Sequence, residues 1–388
     1  VSLVDQTLNT NQPCDDATEA AGNAGSAYSG VLQPAGASSK VVSVDTLGMN
    51  TTLIFAVCYA ETDGSATDST WADSGIRLTV SKVTSVEYGE AHSSLPVRTW
   101  RSTNIMAGTN RLPQVAGAQI TYVGDLANAQ WLSVVDASQN SNNPCVAGAS
   151  AASAAGTGYS GAQQAGTGTK LVTIPQSTLL DDSNTYTVCY ASGDGSSTDT
   201  TWRDSYVRLK ISKMESLSAH SVTHVTEGQI ARVGSTELTW DGSRYVTTAV
   251  AHLELTYAGS LGGDKYVSLV DDTLNSNFPC ADGSVAAAGA DSLHSGVAQG
   301  SSSVVTYDTT GMSTTKTFAA CYTEGDGTSS ASWVDSGIRL SVSKLTAIEY
   351  GTYSSSFPVR TWRSTNVMAA TNRLPQVANT VVTYVGDL

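Results

Sequence analysis

The chain has 388 residues, 40% of them hydrophobic, with 20 Lys and Arg against 34 Asp and Glu for a net charge of −14. That length leaves room for roughly two to four domains, each able to bury a core. A nucleic-acid partner is excluded because no Lys/Arg patch offsets the acidic balance, and a membrane-spanning helix is excluded because no apolar run approaches about 18 residues. The opening "VSLVD" reads as a strand rather than a secretion signal, which predicts a mature product or an internal piece of a longer polypeptide.

In chain order, "VSLVDQTLNTNQPC" from Val1 is a strand followed by an Asn-rich turn that ends in Pro-Cys. An Ala/Gly/Ser-rich stretch follows. The next strand sets Phe55, Val57 and Tyr59 on one face and Ile54, Ala56 and Cys58 on the other. A Gly/Ser/Asp loop, Trp71 and "DSGIRLTVSK" come next. There Ile76, Leu78 and Val80 alternate with Arg77, Thr79 and Ser81, the period of a half-buried strand. Ile120 and Tyr122 mark the closing strand, which ends in "TYVGDL".

The series then starts again, with "LSVVDASQNSNNPC" at Leu132 and "VSLVDDTLNSNFPC" at Val267. Val207, Leu209 and Ile211 repeat the alternation in the second copy, with Leu255 and Tyr257 in its closing strand. Ile338, Leu340 and Val342 repeat it in the third. A period this long is that of domains rather than of a solenoid. It predicts three units, residues 1–131, 132–266 and 267–388. About seven strands per unit predict an all-β chain of three tandem antiparallel β-sandwiches. From "GDL" (124–126) only "ANAQ" separates one repeat from Trp131, so short links predict a semi-rigid rod.

Each repeat holds two cysteines: Cys14 and Cys58, Cys145 and Cys189, Cys280 and Cys321. Pairing within the repeat is the simplest reading and places the chain in an oxidising, extracellular compartment. Two cysteines without a recurring His make a poor zinc site; buried free thiols are the other alternative. This order of strands, paired cysteines and a Trp resembles the immunoglobulin-like class of tandem extracellular domains, and also the repeats of surface and appendage proteins of algae and other protists. One difference stands out. Trp71, Trp202 and Trp333 follow the second cysteine, whereas immunoglobulin domains place the Trp between the two.

No catalytic residue is predicted: the five His hold no recurring position, and no Ser-His-Asp elbow, P-loop or zinc-protease motif is present. "DGSATD" (63–68) returns as "DGSSTD" (194–199). Asp63, Ser65, Asp68, Asp194, Ser196 and Asp199 offer the hard oxygens that Ca²⁺ takes, although an Asp-Gly turn between strands is the commoner meaning. Asp73, Asp204 and Asp335, each four residues before an Arg, suggest structural ion pairs. Trp71 with Arg77, and Arg98 with Trp100, are candidate cation–π pairs. Asn50 heads an N-glycosylation sequon.

"PVRTWRSTNIMAGTNRLPQV" (96–115) returns at 358–377 with two changes, whereas the second repeat carries "LTWDG". An Arg101 or Arg363 to Asp241 contact between subunits is one reading of that difference; drift of a surface turn is the other. Near-identical repeats without catalytic groups suggest a structural subunit of an extracellular filament, appendage or wall layer, with copies of itself and covalent glycans as partners. An adhesin or carbohydrate-binding surface protein is the alternative.

Overall fold

A computed structural model describes all residues except 37, 89–97, 102–109, 177, 220–221, 235, 241–244, 250–251, 351–359, 363–373 and 387. Strand takes 41% of the chain and helix 9%, so the chain is mostly β. It divides into two units, Val1–Lys82 and Val83–Leu388.

Val1–Lys82 holds one three-stranded antiparallel sheet in which Ile54–Tyr59 is central, flanked by Ser2–Asp5 and Ala72–Thr79. The central strand buries both faces. Phe55 packs with Leu3 and Met49 on one side, while Ala56 and Cys58 join Val4, Cys14 and Trp71 on the other.

Within Val83–Leu388 the packed bodies do not coincide with the sequence repeats. A sheet of Val83–Tyr88, Arg98–Arg101 and Ala118–Gly124 from the first repeat takes Leu171–Ile174 of the second repeat as its edge. A five-stranded sheet of second-repeat strands in turn takes Arg111–Pro113 of the first repeat at its edge, in parallel beside Arg203–Ser212. The two sheets share one core, running from Val83 to Ile211 and including Ile120, Tyr122, Leu132, Val172, Tyr186 and Leu209.

The same construction recurs one repeat later. Glu227–Ile230 lies parallel to Val334–Val342, Leu253–Gly259 pairs with Val304–Tyr307, and a second core runs from Met214 to Val342. Each body thus joins the second half of one repeat to the first half of the next.

The crossing point is short. Only Lys213 separates Arg203–Ser212 from Met214–Ala219, although the two strands belong to different sheets and different cores. The "GDLANAQ" link expected to join two domains lies inside one body instead. There Tyr122 donates its hydroxyl to the Ala127 carbonyl at 2.6 Å and accepts the Gln130 amide at 3.1 Å.

Candidate functional site: the joint between repeats

The joint is the feature that recurs with the most detailed chemistry. Arg111–Pro113 aligns Leu112 with Ile211, and Leu112 is fully buried. The Lys210 amide donates to the Asn110 carbonyl at 3.0 Å, and the Gln114 amide to the Ser212 carbonyl at 2.7 Å. Side chains complete the strand's polar groups. Gln114 Nε2 donates to the Leu180 carbonyl at 2.6 Å, and Gln176 Nε2 to the Pro113 carbonyl at 2.8 Å. Pro suits this edge position because its missing N–H removes no ladder bond there. Arg111 lies deep enough that burial lowers its pKa.

In the second body Ile230 takes the place of Leu112, opposite Val342. Two backbone bonds frame it, Arg339 amide to Thr226 carbonyl at 2.8 Å and Ser343 amide to Ile230 carbonyl at 2.9 Å. At the crossing residue, the Lys213 amide donates to the Tyr322 hydroxyl at 2.9 Å, and Lys213 Nζ reaches Glu324 at 2.6 Å and Asp182 at 3.5 Å. One lysine therefore ties the end of a strand in the first body to the second body.

Each repeat also carries a bulge that explains "DSGIRL". The strand register shifts between Ala56 and Cys58, between Thr187 and Cys189, and between Ala319 and Cys321. Gly75 and Gly337 adopt positive φ there, and Tyr206 does so in the second repeat. The extra residue turns the Arg back toward the Asp four positions earlier. Both guanidinium nitrogens then meet both carboxylate oxygens at 2.8–2.9 Å in Asp73–Arg77 and Asp335–Arg339. Asp204–Arg208 is alike at 2.7–2.8 Å. Burial alone would raise the Asp335 carboxyl, but Arg339 outweighs it and holds it lowered.

The three predicted disulfides form, Cys14–Cys58, Cys145–Cys189 and Cys280–Cys321, and among the described residues no free cysteine remains. Each packs against its repeat's Trp in a small cluster. Trp71, Trp202 and Trp333 are buried and donate their indole N–H to the carbonyls of Ser65, Ser196 and Thr328, each at 3.0 Å. The tryptophans thus anchor the Asp-Gly loops.

Those loops also hold their own carboxylates. Asp63 Oδ1 accepts the Ser65 amide, and Asp68 accepts the amides of Gly64 and Thr70 and the Thr70 hydroxyl. Asp194, Ser196 and Asp199 repeat the pattern. Among the described residues no group of three or more His, Cys, Asp or Glu is placed to hold a metal. Asn50 is exposed, its side-chain oxygen accepting from Thr52. Arg77 is engaged by Asp73 rather than stacked on Trp71.

Asp241 and Arg363 lie outside the described residues. The backbone nevertheless separates the two tryptophan stretches. Arg98–Arg101 pairs with Val83–Tyr88 and sets Trp100 opposite Val86. The corresponding edge in the second repeat belongs to Val222–His224, with His224 opposite Leu217. Thr236–Trp240 forms its own hairpin with Tyr245–Ala249. Thr236–Trp240 is therefore paired differently from Arg98–Arg101. The exchanged strands themselves were missed. Their signal was the uninterrupted run "VRLKISKMESL", which has no Gly, Pro, Asn or Asp to favour a tight reversal.

Comparison with protein-family models and with curated proteins finds no match.

Proposed function

We propose that this protein is a structural subunit of an extracellular filament, cell-surface appendage or wall layer, built of immunoglobulin-like β-sandwich modules that self-associate. The observation that carries this reading is the sharing of sheets across repeat boundaries. Within Val83–Leu388 two successive cores each draw strands from two neighbouring repeats, so those repeats interlock rather than fold as separate beads. Three disulfides suit an oxidising exterior. The loops that most resemble ligand sites are occupied with their own hydrogen bonds. Electron microscopy of the purified chain and of native material tests the reading: linear or helical polymers are expected, and monodisperse particles under all conditions would overturn it.

One observation favours the adhesin alternative. A groove in Val83–Leu388 is lined by Arg111, Lys210, Phe278, Trp333 and Asp335, a mixture of apolar and charged groups of the kind that lines small-molecule clefts. Binding on a glycan array that disappears with Phe278→Ala, while folding is kept, would favour it over the structural role.

A further inference from the structure

Both bodies in Val83–Leu388 show what covers the receiving half of a repeat. Val1–Lys82 holds the strands of a receiving half, and Leu345–Tyr350, Leu374 and Val382–Gly386 belong to a covering half. Leu78 is 42% exposed, whereas its counterpart Leu209 is 1% exposed beneath its covering segment. Ile76 and Tyr59 are likewise exposed, and Val207, Ile338, Tyr190 and Tyr322 at the matching positions are buried. On the other side, Leu374 is 56% exposed against 0% for Leu112, and Tyr384 is 58% exposed against 0% for Tyr122. Apolar side chains on this scale, arranged on sheet edges and faces, mark interaction surfaces.

We propose that the segment from Leu374 through Val382–Gly386 of one copy completes the sheet of Val1–Lys82 in a second copy, with Leu374 entering as a parallel strand beside Val80 and Val382 pairing with Val42. This rests on the self-associating filament reading and gives it a geometry. The register is carried over from the two joints on view, Leu112 with Ile211 and Ile230 with Val342 for the inserted strand. Ile120 with Val172 and Leu255 with Val305 supply it for the edge strand.

The sequence supplies matching partners. "RLPQV" at 373–377 repeats "RLPQV" at 111–115, and "DTLGM" at 45–49 parallels "DTTGM" at 308–312, which receives the second covering segment. Charge agrees as well. Lys344 stands where Lys213 stands, and Tyr59 and Glu61 stand where Tyr322 and Glu324 receive that lysine. Both Lys344 and Glu61 are exposed. Each contact then resembles the recognition mode in which a strand is added to an open sheet edge, with main-chain bonds supplying affinity and side-chain pockets supplying register. Because the surfaces differ, the contact is head-to-tail and generates an open chain rather than a closed pair.

The test uses two variants of the whole chain, Leu374→Asp and Leu78→Asp, both at exposed positions that leave the folded halves intact. Sedimentation and electron microscopy should show that each variant alone stops at monomers while the wild type polymerises. Mixing the two at equal concentration should give dimers, because one copy keeps its receiving half and the other its covering half. Polymers from either variant alone would overturn the proposal while leaving the filament reading standing. A mixture that stays monomeric would overturn it too, and a wild type that never polymerises would sink both. A third variant, Ser43→Cys with Val381→Cys, fixes the register. Cα partners in a sheet lie within disulfide reach, so a covalent ladder on a non-reducing gel is expected, and its absence from wild-type-like polymers would refute the pairing.

Discussion

Ala72–Thr79 and Arg203–Ser212 are written in nearly the same residues and make the same bulge and the same ion pair. Yet the first is exposed along nearly its whole length, and the second is buried on its core face. Local sequence builds the strand in both places. What differs is the covering segment, and that comes from a different repeat. Strand formation here is a property of the repeat, and core formation a property of the pair.

The largest break in that comparison comes from a bond both regions share. Replacing Cys145 and Cys189 with Ala releases a loop of 44 residues, which costs roughly 4 kcal/mol in the chain-entropy model. Calorimetry should show the transition of the first body collapsing to lower temperature, with the second body less affected. Next in size is Leu112→Ala, which empties a fully buried site and should cost about 3 kcal/mol. In the same 388-residue chain held monomeric at low concentration, Leu374→Ala should change stability by less than about 0.5 kcal/mol. Equal effects of the two would erase the distinction between covered and uncovered halves.

Acid sharpens the contrast further. The Asp335 carboxyl is held below its ordinary value by Arg339, and Asp73 is lowered by its hydrogen bonds from Arg77. A lowered folded value means stability that is complete above the unfolded carboxylate value of about 3.9 and is lost as pH falls through the folded one. The buried Asp335 pair should contribute more of that acid limb than the Asp73 pair, which remains about a third exposed. Melting curves between about pH 5 and pH 2 for Asp335→Asn and Asp73→Asn check this. The second variant should track the wild type closely. A further small effect concerns Tyr206, which holds φ of 63° where the other repeats have glycine. Tyr206→Gly should gain roughly 0.5 kcal/mol, since relief of the left-handed strain slightly exceeds the entropy cost of glycine; a loss seen in chemical denaturation would mean that the tyrosine ring packs usefully.

Much of this was legible in the residues. The alternation at Val207, Leu209 and Ile211 told which side is buried, and the cysteine pairs and the Asp–Arg spacing held. Alternation does not say who does the burying, because a period of two reports a face and not a neighbour. The boundaries drawn at residues 131 and 266 followed the duplication, whereas the cores follow Lys82 and Ser212. The run "SVSKLTAIEY" and its two relatives are the physical clue: without Gly, Pro, Asn or Asp, the residues that most favour a tight turn, the chain carries straight on from one strand into the next. The "LTWDG" comparison rests on two shared letters, Thr and Trp, while the strands beside Thr236–Trp240 and Arg98–Arg101 are paired differently.

The crossing strand also sets a clock. Residues 83–126 leave the ribosome before the segment they cover has been made, and the first body closes only once the chain has reached Ser212. At typical elongation speeds that interval is on the order of ten seconds. Throughout it, one apolar half-repeat waits for the next, so every stage of synthesis carries a growing end that is ready to be closed by whatever follows.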